Sequence, residues 1–247
     1  MNDDEWRRRA GSFGAAAEVY DAARPSYPPE AVDAVLRDGP RHVLDLGAGT
    51  GKFTRLLLAR GVSVVAVEPS EEMAAQLRAR SPEATVRAGH AEDLPAADAS
   101  VDAVVCAQAW HWVEPMAASA EVARVLRPGG TLALIWNVRD LQVDWLGRAF
   151  ELVLLNSTPR ERGRSMPHVA APFGHPERRE TTWTDTTTRA GFLALIRSLS
   201  DYLVRPEEER RTITAEVDAL FDEHPDLVGR DEVAVPYVTE TLLYRRP

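Results

Sequence analysis

From Arg41 to Val138 the chain alternates short, apolar, β-branched runs with stretches whose apolar residues recur at helical spacing, and this alternation constrains the fold most. The runs are HVLDLG (His42 to Gly47), VSVVAVE (Val62 to Glu68), ATVRAG (Ala84 to Gly89), VDAVVCAQ (Val101 to Gln108) and GTLALIWN (Gly130 to Asn137). Several are apolar at consecutive positions, as strands are when helices cover both faces of a parallel sheet. Between them GKFTRLLLAR, SEEMAAQLRARS and EPMAASAEVARVL have the length of crossover helices. Ser70 is placed as an N-cap, and RPGG (Arg127 to Gly130) reads as a helix stop followed by a tight turn. The pattern is βαβαβ.

The flanks extend this core without a repeat or a low-complexity segment. A turn at Pro25 to Pro29 leads into a helix that ends at Leu36, before Gly39 and Pro40. After the core, VDWLGRAFELVLLN predicts a helix and residues 156–178, rich in Pro, Gly and Arg, a long loop. ETTWTDTTT then predicts a strand, RAGFLALIRSLSDYLV and PEEERRTITAEVDALFDEH two helices, and EVAVPYVTETLLYRR a last, antiparallel strand. The 247 residues suit one α/β domain. Its expected parts are an N-terminal cap (1–38), a ligand-binding core (39–138) and a substrate-side remainder (139–247).

Composition removes several classes of function. No run of about 18 apolar residues could cross a bilayer, and the start, MNDDEWRRRAGSFG, lacks the apolar stretch of a secretory signal. The single cysteine, Cys106, excludes an internal disulfide and agrees with a cytoplasmic location. A net charge of −9 opposes a polyanion, so no nucleic acid partner is expected, and Lys52 is the only lysine. His168 and His175 lack the compact spacing of a metal site, so no metal is expected. Oligomeric state is not readable from the sequence.

The stretch VLDLGAGTGKFT (Val43 to Thr54) sits where the first strand turns into the first crossover helix, the position at which open α/β sheets bind nucleotide-like ligands. Its glycines run G-x-G-x-G, so the third falls one position earlier than in the dinucleotide fingerprint, and Lys52 stands where that glycine would be. Asp45, two residues ahead of Gly47, is a poor neighbour for a pyrophosphate and suits a cationic ligand. Glu68 ends the second strand, where an acid accepts hydrogen bonds from ribose hydroxyls. The acidic turn Gly89-His90-Ala91-Glu92-Asp93-Leu94-Pro95 is placed to receive an adenine amino group. S-adenosyl-L-methionine, with product S-adenosyl-L-homocysteine, satisfies all three.

These motifs, with VVAVEPSEEM, GHAEDLP, VDAVVCAQAWHWV and EVARVLRPGGTLALIWN in order, resemble the class I S-adenosylmethionine-dependent methyltransferases, most nearly the trans-aconitate methyltransferase-like small-molecule group, over about Tyr20 to Asn137. The resemblance implies a Rossmann-like, seven-stranded, mostly parallel sheet with an antiparallel last strand, helices on both faces and an N-terminal cap segment. It implies that Asp45, Gly47, Ala48, Gly49 and Thr50 hold the methionine part, Glu68 the ribose, and that Gln108 borders the site. Met73 or Pro69 would flank the adenine, and Ala91 and Glu92 would read its edge. Phe13, Tyr20 and Arg24 resemble a segment that folds over the cofactor, with Arg24 on the methionine carboxylate and Tyr20 near the sulfonium.

Methyl transfer is an in-line displacement that positioning alone accelerates greatly. The fourth strand ends in Ala107-Gln108-Ala109-Trp110-His111-Trp112, where acceptor and methyl should meet, and His111 is the candidate base or orienting residue. Trp110 and Trp112 would wall the pocket or belong to the helix entry. The Asn- or Asp-Pro-Pro-Tyr type motif of base-modifying enzymes is missing at this strand end. The small-molecule acceptor would be met by the N-terminal segment, the helix from Val143 to Leu155, the Arg-rich loop, Trp183 or Tyr202, with Arg139, Arg160, Arg162 or Arg164 as carboxylate partners. A nicotinamide-dependent oxidoreductase and a non-catalytic S-adenosylmethionine-binding protein are the alternatives.

Overall fold

The computed structural model describes residues 23–154 and 166–247. In chain order the elements are α1 (Pro29–Leu36), β1 (His42–Leu46), α2 (Lys52–Leu58), β2 (Ser63–Val67), α3 (Glu71–Arg80), β3 (Thr85–Arg87) and β4 (Val101–Ala107). They continue through a single 3₁₀ turn (Trp110–Trp112), α4 (Pro115–Val125), β5 (Leu126–Arg139), α5 (Asp144–Val153), β6 (Glu177–Thr188), α6 (Arg189–Arg197), α7 (Ser200–Leu203), α8 (Glu207–Glu223) and β7 (Glu232–Arg245).

The strands form one seven-stranded sheet in the order β3-β2-β1-β4-β5-β7-β6. The five core strands are parallel neighbours, with Leu44 facing Val65 on one side and Val104 on the other. β7 runs antiparallel to β5: Gly129 and Gly130 exchange backbone bonds with Arg246 at one end, and Asp140 N–H donates to Pro236 O at the other. Because β2 and β4 lie on opposite sides of β1, the chain reverses its direction of travel there, and the C-terminal ends of β1 and β4 form the switch point at which open α/β sheets bind ligands.

The chain forms two compact units, each discontinuous in sequence. One comprises Ser26–Asn137, Met166–Thr181 and Thr239–Pro247; the other, among the described residues, comprises 23–25, 138–154 and Thr182–Val238. In the first, strand residues alternate between two cores. Leu44, Val104, Leu132, Leu134 and Leu242 join α4 on one face, while Val43, Ala103, Ala133, Ile135 and Leu243 join α1 and α2 on the other. Each of the Leu, Val and Ile side chains stabilises by about 1.5–3 kcal/mol relative to exposure, so both faces must be covered. The other unit has its own core, built from Phe150, Phe192, Val217, Phe221 and Tyr237. Among the described residues no helix is long and apolar enough to cross a membrane.

Three local readings need correction. RPGG does not end in a free turn: Arg127 to Gly130 lie inside β5, whose register jumps from Leu126 opposite Val101 to Thr131 opposite Ala103, so the segment is a bulge that β7 pairs from its other side. RAGFLALIRSLSDYLV is two helices, because the chain leaves helical geometry at Leu199 (φ −74°, ψ 137°). β6 begins at Glu177, three residues before the ETTWTDTTT run. Ser70 caps α3 as expected, its hydroxyl accepting from Met73 N–H.

Candidate functional site

The glycine turn is built by backbone. Gly47, Gly49 and Gly51 have φ of 65°, 57° and 86°, and the N–H groups of Gly47 and Ala48 both donate to Val67 O, at 2.9 and 3.2 Å, which ties the turn to the end of β2. A Cβ on Gly47 would lie 2.7 Å from Ala109 Cβ, so the turn passes too close to the β4 end for any other residue. Gly51 opens α2 in the left-handed region, which accounts for the G-x-G-x-G spacing.

Two carboxylates flank this turn. Asp45 is 1 % exposed and accepts from Thr54 Oγ1 at 2.6 Å. Burial pushes its carboxyl up to about 6, with the Thr54 bond opposing and the charge of Glu68 reinforcing the rise. Glu68 is also buried; its Oε2 accepts from Gly49 N–H at 2.7 Å and its Oε1 from Ser70 N–H at 2.9 Å. Burial raises it as well, against the Ser70 and Gly49 bonds and the charge of His90. Glu68 therefore spans the loops after β1 and β2. Thr50 is buried, with its carbonyl accepting from Arg55 Nη1 at 2.9 Å, and Met73 Sδ lies 3.8 Å from where a Gly49 Cβ would stand.

The third loop is only partly as expected. Ala91 is buried in the core, so only its backbone can face a ligand. Glu92 is exposed, and its Oε1 accepts from Glu114 N–H at 2.7 Å, where Glu114 itself caps α4 through Met116 and Ala117. Pro69 is exposed in the turn before α3.

At the end of β4, Gln108 adopts φ 58°, a sparsely populated conformation for a residue other than glycine. Its N–H donates to Ile135 O at 2.8 Å and its Nε2 to Asn137 O at 3.3 Å. Asn137 in turn donates to Ser26 O at 2.8 Å and accepts from Thr239 Oγ1 at 2.6 Å, holding the ends of β4, β5 and the α1 lead-in together. Trp110 is a core residue, its Nε1 donating to His168 O at 2.9 Å. His111 is exposed and packs on Trp112, ring centroids 4.7 Å apart at 43°. Cys106 is buried, its thiol pushed up by burial and by the charge of Asp45, so it is unreactive.

Asp45, Gly47, Ala48, Gly49, Thr50, Glu68, Met73, Ala91 and Gln108 all belong to the unit containing β1 to β4. Arg24 belongs to the other, where its Nη2 donates to Ser198 O at 2.8 Å. Tyr20, Phe13, Arg160, Arg162 and Arg164 lie outside the described residues. Tyr202, considered for the acceptor side, is instead a buried tie whose hydroxyl meets Arg210 O and Thr214 Oγ1. Thr54 and Asn137 are the additions. A hydroxyl in the first turn of α2 and an amide ending the LIWN run were visible as residues, but their partners come from other strands and from loops. Among the described residues no group of three or more His, Cys, Asp or Glu is placed to hold a metal ion.

Comparisons with known proteins identify the family. Residues 44–134 match the methyltransferase domain family model. An uncharacterised methyltransferase of Mycobacterium tuberculosis is 44 % identical over 228 residues, covering 92 % of this chain and 93 % of its own. A malonyl-[acyl-carrier protein] O-methyltransferase of Methylococcus capsulatus is 43 % identical over 149 residues, 54 % of each chain. The solved structure of a protein described as a type II methyltransferase, from Anaeromyxobacter dehalogenans, superposes with a TM-score of 0.69 at 25 % identity, covering 90 % of this chain and 97 % of that one. The chain belongs to the class I S-adenosylmethionine-dependent methyltransferases.

Proposed function

We propose that the protein transfers the methyl group of S-adenosyl-L-methionine in line to a small-molecule acceptor, leaving S-adenosyl-L-homocysteine. The observation that carries this reading is the pair of buried carboxylates, Asp45 and Glu68, on either side of the left-handed glycine turn. Ionising both inside the protein is costly, and a ligand bearing an ammonium and a sulfonium offsets that cost where a pyrophosphate would add to it. The donor set fits the cofactor.

Asp45 and the turn from Gly47 to Thr50 would hold its methionine part, and Glu68, already fixed by Gly49 and Ser70, would receive the ribose hydroxyls. Met73 and Pro69 would flank the adenine, with the Ala91 backbone and the Glu92 carboxylate at its edge. The bound cofactor supplies an electrophilic methyl. The chain's own task is then to orient the nucleophile and exclude water. The strained Gln108 fixes the floor of the β4 end, and the exposed His111 is the residue that would orient the acceptor or take its proton.

Calorimetric titration with S-adenosylmethionine, S-adenosylhomocysteine, NAD and NADP tests the reading. Micromolar binding of the two sulfur nucleotides alone is expected; binding of a dinucleotide instead would overturn it. His111→Ala should slow the chemical step with cofactor affinity intact, and wild-type turnover in that variant would remove His111 from the mechanism.

A further inference from the structure

Gln108, the first residue after β4, is held at φ 58° by groups that arrive from β5: its N–H donates to Ile135 O at 2.8 Å and its Nε2 to Asn137 O at 3.3 Å. A residue with a side chain keeps such a conformation only where its surroundings enforce it. The place of residue 137 is in turn set by its own side chain. Its Nδ2 donates to Ser26 O at 2.8 Å and its Oδ1 accepts from Thr239 Oγ1 at 2.6 Å. Both partners sit on packed structure. Thr239 is buried in β7, and Tyr27, next to Ser26, packs edge-on against the buried Phe53 of α2 with ring centroids 5.1 Å apart.

This clasp is selective for an amide. The Ser26 carbonyl can only accept and the Thr239 hydroxyl donates, so side chain 137 must offer one donor and one acceptor on a short stem. Aspartate has the same shape but would set a carboxylate oxygen against the Ser26 carbonyl.

From Gln108 the restraint passes to the cofactor side. Ala109 comes next, and its Cβ lies only 2.7 Å from where a Cβ on Gly47 would stand, so Ala109 backs the first residue of the glycine turn. Ala109 also leads into the Trp110–Trp112 turn that carries His111. Relaxation of Gln108 to a negative φ would swing Ala109 and displace both.

We infer that Asn137 is a positioning residue for methyl transfer, acting through the strained Gln108 to keep Ala109 against Gly47 and so to hold the turn that takes the methionine part of S-adenosylmethionine. This rests on the methyl-transfer reading above.

The test is a double-mutant cycle in the full chain with Asn137→Ala, Asn137→Asp, Gln108→Gly and the double variant Asn137→Ala/Gln108→Gly. S-adenosylhomocysteine affinity is measured by calorimetry, and hydrogen exchange is followed at the Gln108 amide with the Leu44 amide, in the middle of β1, as the report on overall folding. Asn137→Ala and Asn137→Asp should each weaken the nucleotide at least tenfold and speed exchange at Gln108 at least tenfold relative to Leu44. Glycine adopts a positive φ unaided, so in the Gln108→Gly background Asn137→Ala should cost less than threefold in affinity. That coupling is what a merely structural contact would not produce. Wild-type affinity in Asn137→Ala, an equal loss in both backgrounds, or exchange that rises alike at Gln108 and Leu44 overturns the inference. Failure of the wild type to bind S-adenosylhomocysteine would instead overturn the methyl-donor reading, and exchange at Gln108 would then decide by itself whether Asn137 holds the turn.

Discussion

Asp45 shows what the fold gives up to keep a carboxylate in place. Its carboxyl titrates near 6 when folded and at about 3.9 when unfolded, so the folded state holds the proton more tightly between those values. The neutral form's advantage is therefore complete below about pH 4 and is lost as pH rises toward 6, a cost of about 3 kcal/mol at neutrality. Without cofactor, Asp45→Asn should melt higher than wild type at pH 7.5, the gap closing at pH 4 in scanning calorimetry. The same variant should bind S-adenosylmethionine at least tenfold more weakly, and wild-type affinity should fall on acidification from pH 7 to 5 while the variant's stays flat. A lower-melting Asp45→Asn at pH 7.5 would mean that burial does not dominate at this site. Gly47→Ala belongs to the same scale. Its Cβ would meet Ala109 at 2.7 Å with φ at 65°, so a loss of about 2 kcal/mol or more is expected in urea unfolding, along with cofactor affinity.

Among the elements, the start of β4 governs how β1 and β5 are held. Asp102 accepts from the N–H groups of Arg41 and His42, each at 2.9 Å, and pairs with Arg127 in the β5 bulge. Burial works to raise its carboxyl, but those backbone bonds and the Arg127 guanidinium hold it down at about 2. A depressed acid stabilises above its unfolded value and loses that contribution as pH falls from about 4 to 2. Asp102→Asn should therefore cost about 1–2 kcal/mol at pH 7 and nothing near pH 2, read from urea midpoints at both. This contact also marks where sequence reading stops. β1, β2 and β4 were legible because their apolar runs face helices on both sides, and Ser70 and the glycine spacing because caps and turns are local chemistry. RPGG was not, since a bulge and a turn need the same residues and only Arg246, more than a hundred positions away, distinguishes them. At the site, Asp45 and Glu68 were legible by strand position, whereas the contacts of Glu92 with Glu114 and of Tyr202 with Thr214 depend on which side chains the packing brings together.

For the whole molecule, the order of segments decides which pieces can fold. The unit that holds Asp45 and Glu68 takes its main segment from Ser26–Asn137 but completes itself with Met166–Thr181 and Thr239–Pro247. Those late residues are not ornament: Leu242 and Tyr244 enter the core on one face of the sheet and Leu243 the core on the other, all three buried. Phe173 and Ala170 add to this, the latter donating its N–H to the buried Ser119 hydroxyl at 2.9 Å. The fragment 26–137 contains Asp45, the glycine turn, Glu68 and Gln108 and yet loses the residues that complete the cores on both faces of the sheet. Removing four large buried side chains at about 1.5–3 kcal/mol each forfeits about 6–12 kcal/mol, the same size as the about 5–15 kcal/mol by which whole domains are stable. The fragment 26–137 is therefore expected to show no cooperative thermal transition and no S-adenosylhomocysteine binding. The full chain should melt cooperatively and gain about 2.7 kcal/mol of stability with the nucleotide at a hundred times its Kd. A fragment that melts sharply and binds the nucleotide would show that the closing strand serves the acceptor side alone.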